Sequence, residues 1–220
     1  MNLPNSITLS RIASIPLLIW LLLTTRISSL HGEKELLASA VFVLASITDG
    51  LDGYLARKRG QVTTMGMLLD PLADKLMVTA AFITLVQVNP HVVSAWIAVI
   101  IIGREFMVSG LRSIAAAEGF TIQASDLGKM KMVVQIVSVV AAILDMRWWD
   151  AEWSYRSFHF VLGIDLTAKM AIWFMVALSL ISGVDYFVGF WKKIDRSSER
   201  RRRRSFVLSR RRKSSDVAAT

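Results

Sequence analysis

Asp49-Gly50-Leu51-Asp52-Gly53-Tyr54-Leu55-Ala56-Arg57, followed by Gly66-Met67-Leu68-Leu69-Asp70-Pro71-Leu72-Ala73-Asp74, is the part of this 220-residue chain whose reading decides the fold. Both stretches sit in apolar surroundings, and in each the aspartates recur at helical spacing. At about 100° per residue, Asp49, Asp52, Gly53, Ala56 and Arg57 fall within an arc of roughly 140°. Gly66, Asp70 and Asp74 fall within about 80° on the following helix. The spacing predicts two neighbouring antiparallel helices, each presenting a pair of carboxylates on one face. A carboxylate in mid-membrane costs roughly 2.5–3.5 kcal/mol, and a group of them would also repel one another. One or two hard divalent cations neutralise such a group most simply, because carboxylate oxygens are their preferred ligands. Gly53 and Gly66 remove side chains beside the carboxylates, so a bulky ligand can approach the backbone. Arg57, on the same face, offers a planar fork for a phosphate or another polar headgroup.

Outward from these helices the chain is strongly apolar, with a mean hydropathy of +0.49, more than a water-soluble domain of this length carries. Several runs approach the roughly 20 residues that a bilayer core requires, and they resolve into candidate spans. The first runs roughly from Ile12 to Thr25, extended by an interfacial helix from about Leu3. The others cover about Glu35 to Arg59, Asp70 to Val88, Val92 to Ala117, Leu127 to Met146 and Leu166 to Trp191, with a tight turn at Asn89-Pro90. The expected fold is therefore all-α: a polytopic membrane domain of six helices over residues 1–191, and a disordered basic tail over 192–220.

The formal net charge of +9 belongs to that tail, which holds 12 basic and 3 acidic residues, while the remainder is balanced. An even number of spans puts both termini on one side, and the positive-inside rule makes it the cytoplasmic side. Arg57, Lys58 and Arg59, then Lys129 and Lys131, then the tail, all fall there. The opposite loops mix Arg26, Lys34, Arg147 and Arg156 with Glu33, Asp150, Glu152 and Asp165. The aromatic segment from Arg147 to Phe160 reads as an interfacial belt, an anchor without chemistry. The N-terminus has no small-residue cleavage site and reads as a retained segment, and a bacterial plasma membrane is the expected home. The absence of cysteine excludes disulfides and thiolate zinc sites.

Simpler readings account for the other polar residues. Asp145 and Asp185 each read as an arginine partner or a helix-end marker. His31, His91 and His159 lack a spacing suited to metal binding or nucleophilic catalysis and are given no role. For the aspartate pairs the rival is cation-coupled transport, since carboxylates inside a bundle also mark ion pathways. That rival gives no reason for Gly53, Ala56 and Gly66 to be in phase with the aspartates.

The pattern D-x2-D-G-x2-A-R-x8-G-x3-D-x3-D is met at every position from Asp49 to Asp74. It resembles the signature of the CDP-alcohol phosphatidyltransferases. The resemblance implies a six-helix membrane fold, usually dimeric, with two magnesium or manganese ions at the cytoplasmic side. By that likeness Asp49, Asp52, Asp70 and Asp74 are metal ligands, and Asp74 is also the base that takes the proton of the acceptor hydroxyl. Gly53, Ala56, Arg57 and Gly66 would contact the CDP moiety. The residues suit this chemistry on their own terms. Displacing a nucleotide from a diphosphate calls for charge neutralisation, positioning and a base.

The acceptor must be read from elsewhere. Arg104 lies inside an apolar span, Arg112 follows eight residues later, and Lys129 and Lys131 enter the membrane from the same face. Such a concentration of cations suits an acceptor that itself carries a phosphate. Positive-inside loop charge accounts for either lysine alone and explains Arg104 less well, because Arg104 lies inside the apolar span. The segments around Arg104–Arg112 and Gly128–Lys131, with the opening from Asn2, resemble the phosphatidylglycerophosphate synthase branch of the family. They imply CDP-diacylglycerol as donor and glycerol 3-phosphate as acceptor. Inositol phosphate and serine are the alternative acceptors. Met132 departs from the threonine expected there. The basic tail reads as attracted to anionic lipid, at about 1 kcal/mol per basic residue near the surface, with nucleic acid set aside as a partner.

Overall fold

A computed structural model describes the backbone of residues 3–25, 32–59, 64–120, 126–147, 150–155 and 158–217. Side chains are described over 9–25, 32–48, 72–73, 75–120, 130–147 and 163–194. The chain order is α1 (Leu3–Leu23), α2 (Glu33–Arg59), α3 (Thr64–Val88), α4 (Ala95–Ala117), α5 (Asp126–Asp145), β1 (Asp150–Tyr155), β2 (Phe158–Gly163) and α6 (Ile164–Val217). The expectation of an α-helical chain is met in these six helices, each of which covers most of one of the expected apolar runs. The departure is a small antiparallel hairpin, β1 to β2, pairing Asp150 with Gly163 through Tyr155 with Phe158. It occupies the segment read from sequence only as an aromatic anchor, and aromatic and β-branched residues are those that favour paired strands.

Two further boundaries differ from the sequence reading. The expected interfacial segment and first span are one continuous rod, α1. The tail expected to be disordered is helical backbone as far as Val217, since α6 runs for 54 residues. Its physical reason is propagation: once the apolar half has nucleated a helix, each further residue adds one hydrogen bond. Arg, Lys, Glu and Ser follow, with no proline or glycine after Gly189 to stop it.

α1 packs on α2 and α3, α5 on α6 and α2, and α4 on α6 and α3. Leu18, Leu22, Phe42, Phe82, Leu85, Ile101, Ile143, Ile172 and Met175 are fully buried between them. Two of the hydroxyls inside the bundle are satisfied by backbone carbonyls. Ser138 Oγ donates across to Ala171 O (2.9 Å), joining α5 to α6, and Thr84 Oγ1 donates to Ala80 O (2.8 Å) within α3. The outward faces are also apolar: Leu44, Val99, Val133 and Val184 are all more than three-fifths exposed. Among the described residues, Ile164–Ile194 of α6 is the one helical segment long and apolar enough to cross a membrane, while Leu9–Leu23 and Lys75–Val88 are shorter apolar stretches.

Two helix ends fix the geometry. The expected turn at Asn89-Pro90 is present, with Asn89 O accepting from Val93 N at 3.0 Å. The Asn89 side chain is fully buried. It donates to Ala142 O and to Asp145 Oδ2, both at 3.0 Å, and so ties the α3–α4 turn to the end of α5. α4 ends where Gly119 adopts φ 77°, with Gly119 N donating to Ala116 O and Phe120 N to Ala115 O. This is the left-handed glycine termination that satisfies the last carbonyls. It delivers Phe120 onto Phe190 of α6, ring centroids 6.0 Å apart.

Candidate functional site

Asp49, Asp52, Gly53, Ala56 and Arg57 all lie on the C-terminal half of α2, and Gly66, Asp70 and Asp74 on the N-terminal half of α3. Both helices pack chiefly on α1, make a smaller contact with each other, and are joined through residues 60–63. The backbone is therefore helical at every position where the sequence spacing assumed a helix. Asp70 and Asp74 occupy positions flanking Ala73 and Met77, both buried. The side chains of these eight residues, and that of Lys129, lie outside the described residues.

Of the cations expected at an acceptor end, Arg104 and Lys131 come together on one carboxylate, and the structure adds partners that the sequence did not reveal. Arg104, on α4, is mostly buried, as are Lys131, on α5, and the neighbouring Glu105. Glu105 Oε1 accepts from Arg104 Nη1 (3.3 Å) and is paired with Lys131 Nζ, so one carboxylate is shared by two cations. Arg104 Nη2 donates to Ser182 Oγ of α6 at 2.7 Å. The Arg112 guanidinium lies 5.9 Å from the Tyr186 ring centroid, also on α6. Three helices thus meet at one charged cluster within an apolar bundle. Ser182 and Tyr186 left a signal in the sequence, polar groups one turn apart within an apolar span, but nothing in the sequence said what they would touch. Met132, the departure from the expected threonine, is exposed beside buried Lys131.

A second polar group lies near the other end of α3. Asp145, the last residue of α5, is almost fully buried. Besides the amide of Asn89 it has His91 Nε2 at 3.5 Å from Oδ2. His91, given no role from sequence, thus has a carboxylate neighbour, and among the described residues Asp145 marks a helix end without an arginine. The ligand atoms of His91, Asp145 and Asp165 lie within 4.8 Å of one another. A cation is already in place there, because Lys169 Nζ lies 2.7 Å and 2.8 Å from the two Asp165 oxygens. The group acts as a polar tie of the turn to α5 and α6. From Asn89 to Asp74 is about 22 Å along α3, too far for a shared ion.

With this geometry in hand, the comparisons with known proteins are direct. The family model described as CDP-alcohol phosphatidyltransferase matches residues 1–184. The chain belongs to the CDP-alcohol phosphatidyltransferase family. It is 40% identical over 206 residues to the CDP-diacylglycerol--glycerol-3-phosphate 3-phosphatidyltransferase of Bacillus subtilis (strain 168), covering 90% of this chain and 99% of that protein. The protein of the same description from Rickettsia bellii is 37% identical over 186 residues, covering 84% of this chain and 93% of its own length. A relative from Arabidopsis thaliana, described as the chloroplastic/mitochondrial form, is 35% identical over 185 residues, covering 79% of this chain and 60% of that protein. As a CDP-alcohol phosphatidyltransferase the chain is an enzyme, and the family match spans both the aspartate helices and the cation cluster up to Gly183.

Proposed function

We propose that this chain transfers the phosphatidyl group of CDP-diacylglycerol to glycerol 3-phosphate, releasing CMP, at the cytoplasmic face of a bacterial plasma membrane. The observation that carries the acceptor is the mostly buried cluster of Arg104, Glu105 and Lys131, with Arg112 held on α6. Cations sequestered in an apolar bundle suit an anionic acceptor, and charge-assisted hydrogen bonds to phosphate are the strong kind. The matched relatives, whose descriptions name glycerol 3-phosphate, support the same choice. The apolar outward faces and the Ile164–Ile194 segment support residence in a membrane. In this reading residues 1–191 form a six-span catalytic domain that acts as a homodimer, both termini are cytoplasmic, and the basic segment from Lys192 lies along anionic lipid.

Asp49, Asp52, Asp70 and Asp74 would hold two divalent ions, Mg2+ or Mn2+. The donor set fits: hard carboxylate oxygens on two packed helices, with no cysteine in the chain to favour a softer metal. Divalent ions held by these residues would supply charge neutralisation for the diphosphate and the departing nucleotide. Gly53, Ala56, Arg57 and Gly66 hold the CDP moiety, the glycines by letting it approach the helix backbone. Arg104, Arg112, Lys129 and Lys131 hold the acceptor's phosphate and so aim its hydroxyl. Asp74 takes the hydroxyl proton as the oxygen bonds to the phosphatidyl phosphorus, and the bond from that phosphorus to CMP breaks. Purified protein supplied with CDP-diacylglycerol and Mg2+ should release CMP with glycerol 3-phosphate and far less with serine or inositol phosphate. Robust release with either of those and none with glycerol 3-phosphate would overturn the assignment.

A further inference from the structure

Arg104 is held from two sides, and the way it is held leaves one of its donors over. Nη1 goes to Glu105 and Nη2 to Ser182 Oγ. The Ser182 hydroxyl itself donates to Ser179 O at 3.1 Å, which turns an oxygen lone pair toward the guanidinium. The direction of this chain, from Arg104 to Ser182 to a helix carbonyl, is fixed at each link. Arg104 Nε, on the same edge of the guanidinium as Nη2, is buried and has no hydrogen-bond partner. An unpartnered buried donor on a charged group is costly, so the arrangement is incomplete as it stands. Gly183 borders the same edge. A Cβ there would lie 3.2 Å from Arg104 Cγ and 4.0 Å from Nε, with Met107 Cε at 3.5 Å. The missing side chain leaves room along the arginine stem, where any larger residue would push it.

Resting on the acceptor reading above, we infer that Ser182 and Gly183 of α6 are positioning residues that present the Arg104 Nε–H to the acceptor's phosphate. Ser182 fixes the rotation of the guanidinium, and Gly183 fixes the path of the stem. Neither touches substrate. An anion arriving at Nε completes the hydrogen bonding of Arg104 without displacing Glu105.

The test is steady-state kinetics of the full chain in detergent micelles, varying glycerol 3-phosphate and CDP-diacylglycerol separately, with melting temperature measured on the same samples. Ser182→Ala and Gly183→Ala should each raise KM for glycerol 3-phosphate by about tenfold, the effect of loosening one charge-assisted hydrogen bond. KM for CDP-diacylglycerol should stay within about twofold, and Ser182→Thr, which keeps the hydroxyl, should recover most of the loss. If the unaltered chain shows no saturable dependence on glycerol 3-phosphate, the acceptor reading and this inference both fall. Normal dependence in the unaltered chain with both alanine variants unchanged overturns the inference alone. Equal loss toward both substrates, together with a lowered melting temperature, overturns it in favour of a structural role.

Discussion

Glu105→Ala removes the carboxylate that, among the described residues, is shared by Arg104 and Lys131. Their side chains are only 11% and 7% exposed, and that of Glu105 is 18% exposed. Truncating one partner of a buried ion pair costs about 3–5 kcal/mol, because the remaining charge loses a compensating neighbour. Since Glu105 is not fully enclosed and Ser182 still accepts from Arg104, the lower end applies, about 3 kcal/mol. For a chain of this length that corresponds to a fall of roughly 6–12 °C in melting temperature. Glu105→Gln keeps the shape and an accepting oxygen, and should lose less than half as much. Glycerol 3-phosphate added to the alanine variant should recover part of the loss, because its phosphate replaces the missing anion. Thermal unfolding followed by far-UV circular dichroism in one fixed detergent measures all of this. A Glu105→Ala protein melting within about 2 °C of the unaltered chain would refute the reasoning, since it would mean the cluster is solvated.

Asp74→Asn should abolish CMP release while largely sparing CDP-lipid binding, and near-normal turnover in that variant would show that the base is elsewhere. Chelation with EDTA should stop transfer, and Mg2+ or Mn2+ should restore it, whereas turnover indifferent to chelator contradicts a divalent-ion site. Truncation after Trp191 should leave turnover in micelles intact but weaken retention on vesicles containing anionic lipid, by about 1 kcal/mol for each basic residue no longer near the surface. A truncated chain that inserts normally yet loses turnover would place the basic segment in the catalytic unit.

The helices were legible because an apolar run of span length can hardly be anything else, and the helical backbone at the aspartates because spacings of three and four residues define a helix face. The ends of the helices were less so. Hydropathy finds the apolar part of a helix, not the helix, so α3 begins at Thr64 rather than Asp70, and α6 passes Trp191 without a break. The hairpin was obscured because Trp, Tyr and Phe serve an interfacial anchor and a strand equally well. At the proposed acceptor end the cations stood out by charge, whereas Glu105, next to Arg104 in sequence, was not singled out. Ser182 is 78 residues from Arg104. No periodicity links such positions, and only the packing of α4 on α6 brings them together.

The buried amide of Asn89 has a mechanical consequence. It pins one end of α3 to α5, and the remainder of that helix is an unbroken rod reaching back to the aspartates. A tilt of only about 3° about the pinned end would carry Asp74, about 22 Å away, by about 1 Å. A misplacement of that size at reacting groups costs about a hundredfold in rate. Asn89 is thus the fulcrum of a lever whose far arm carries Asp70 and Asp74, and under the proposed function the accuracy of the chemistry on one side of the bundle would be held from the other.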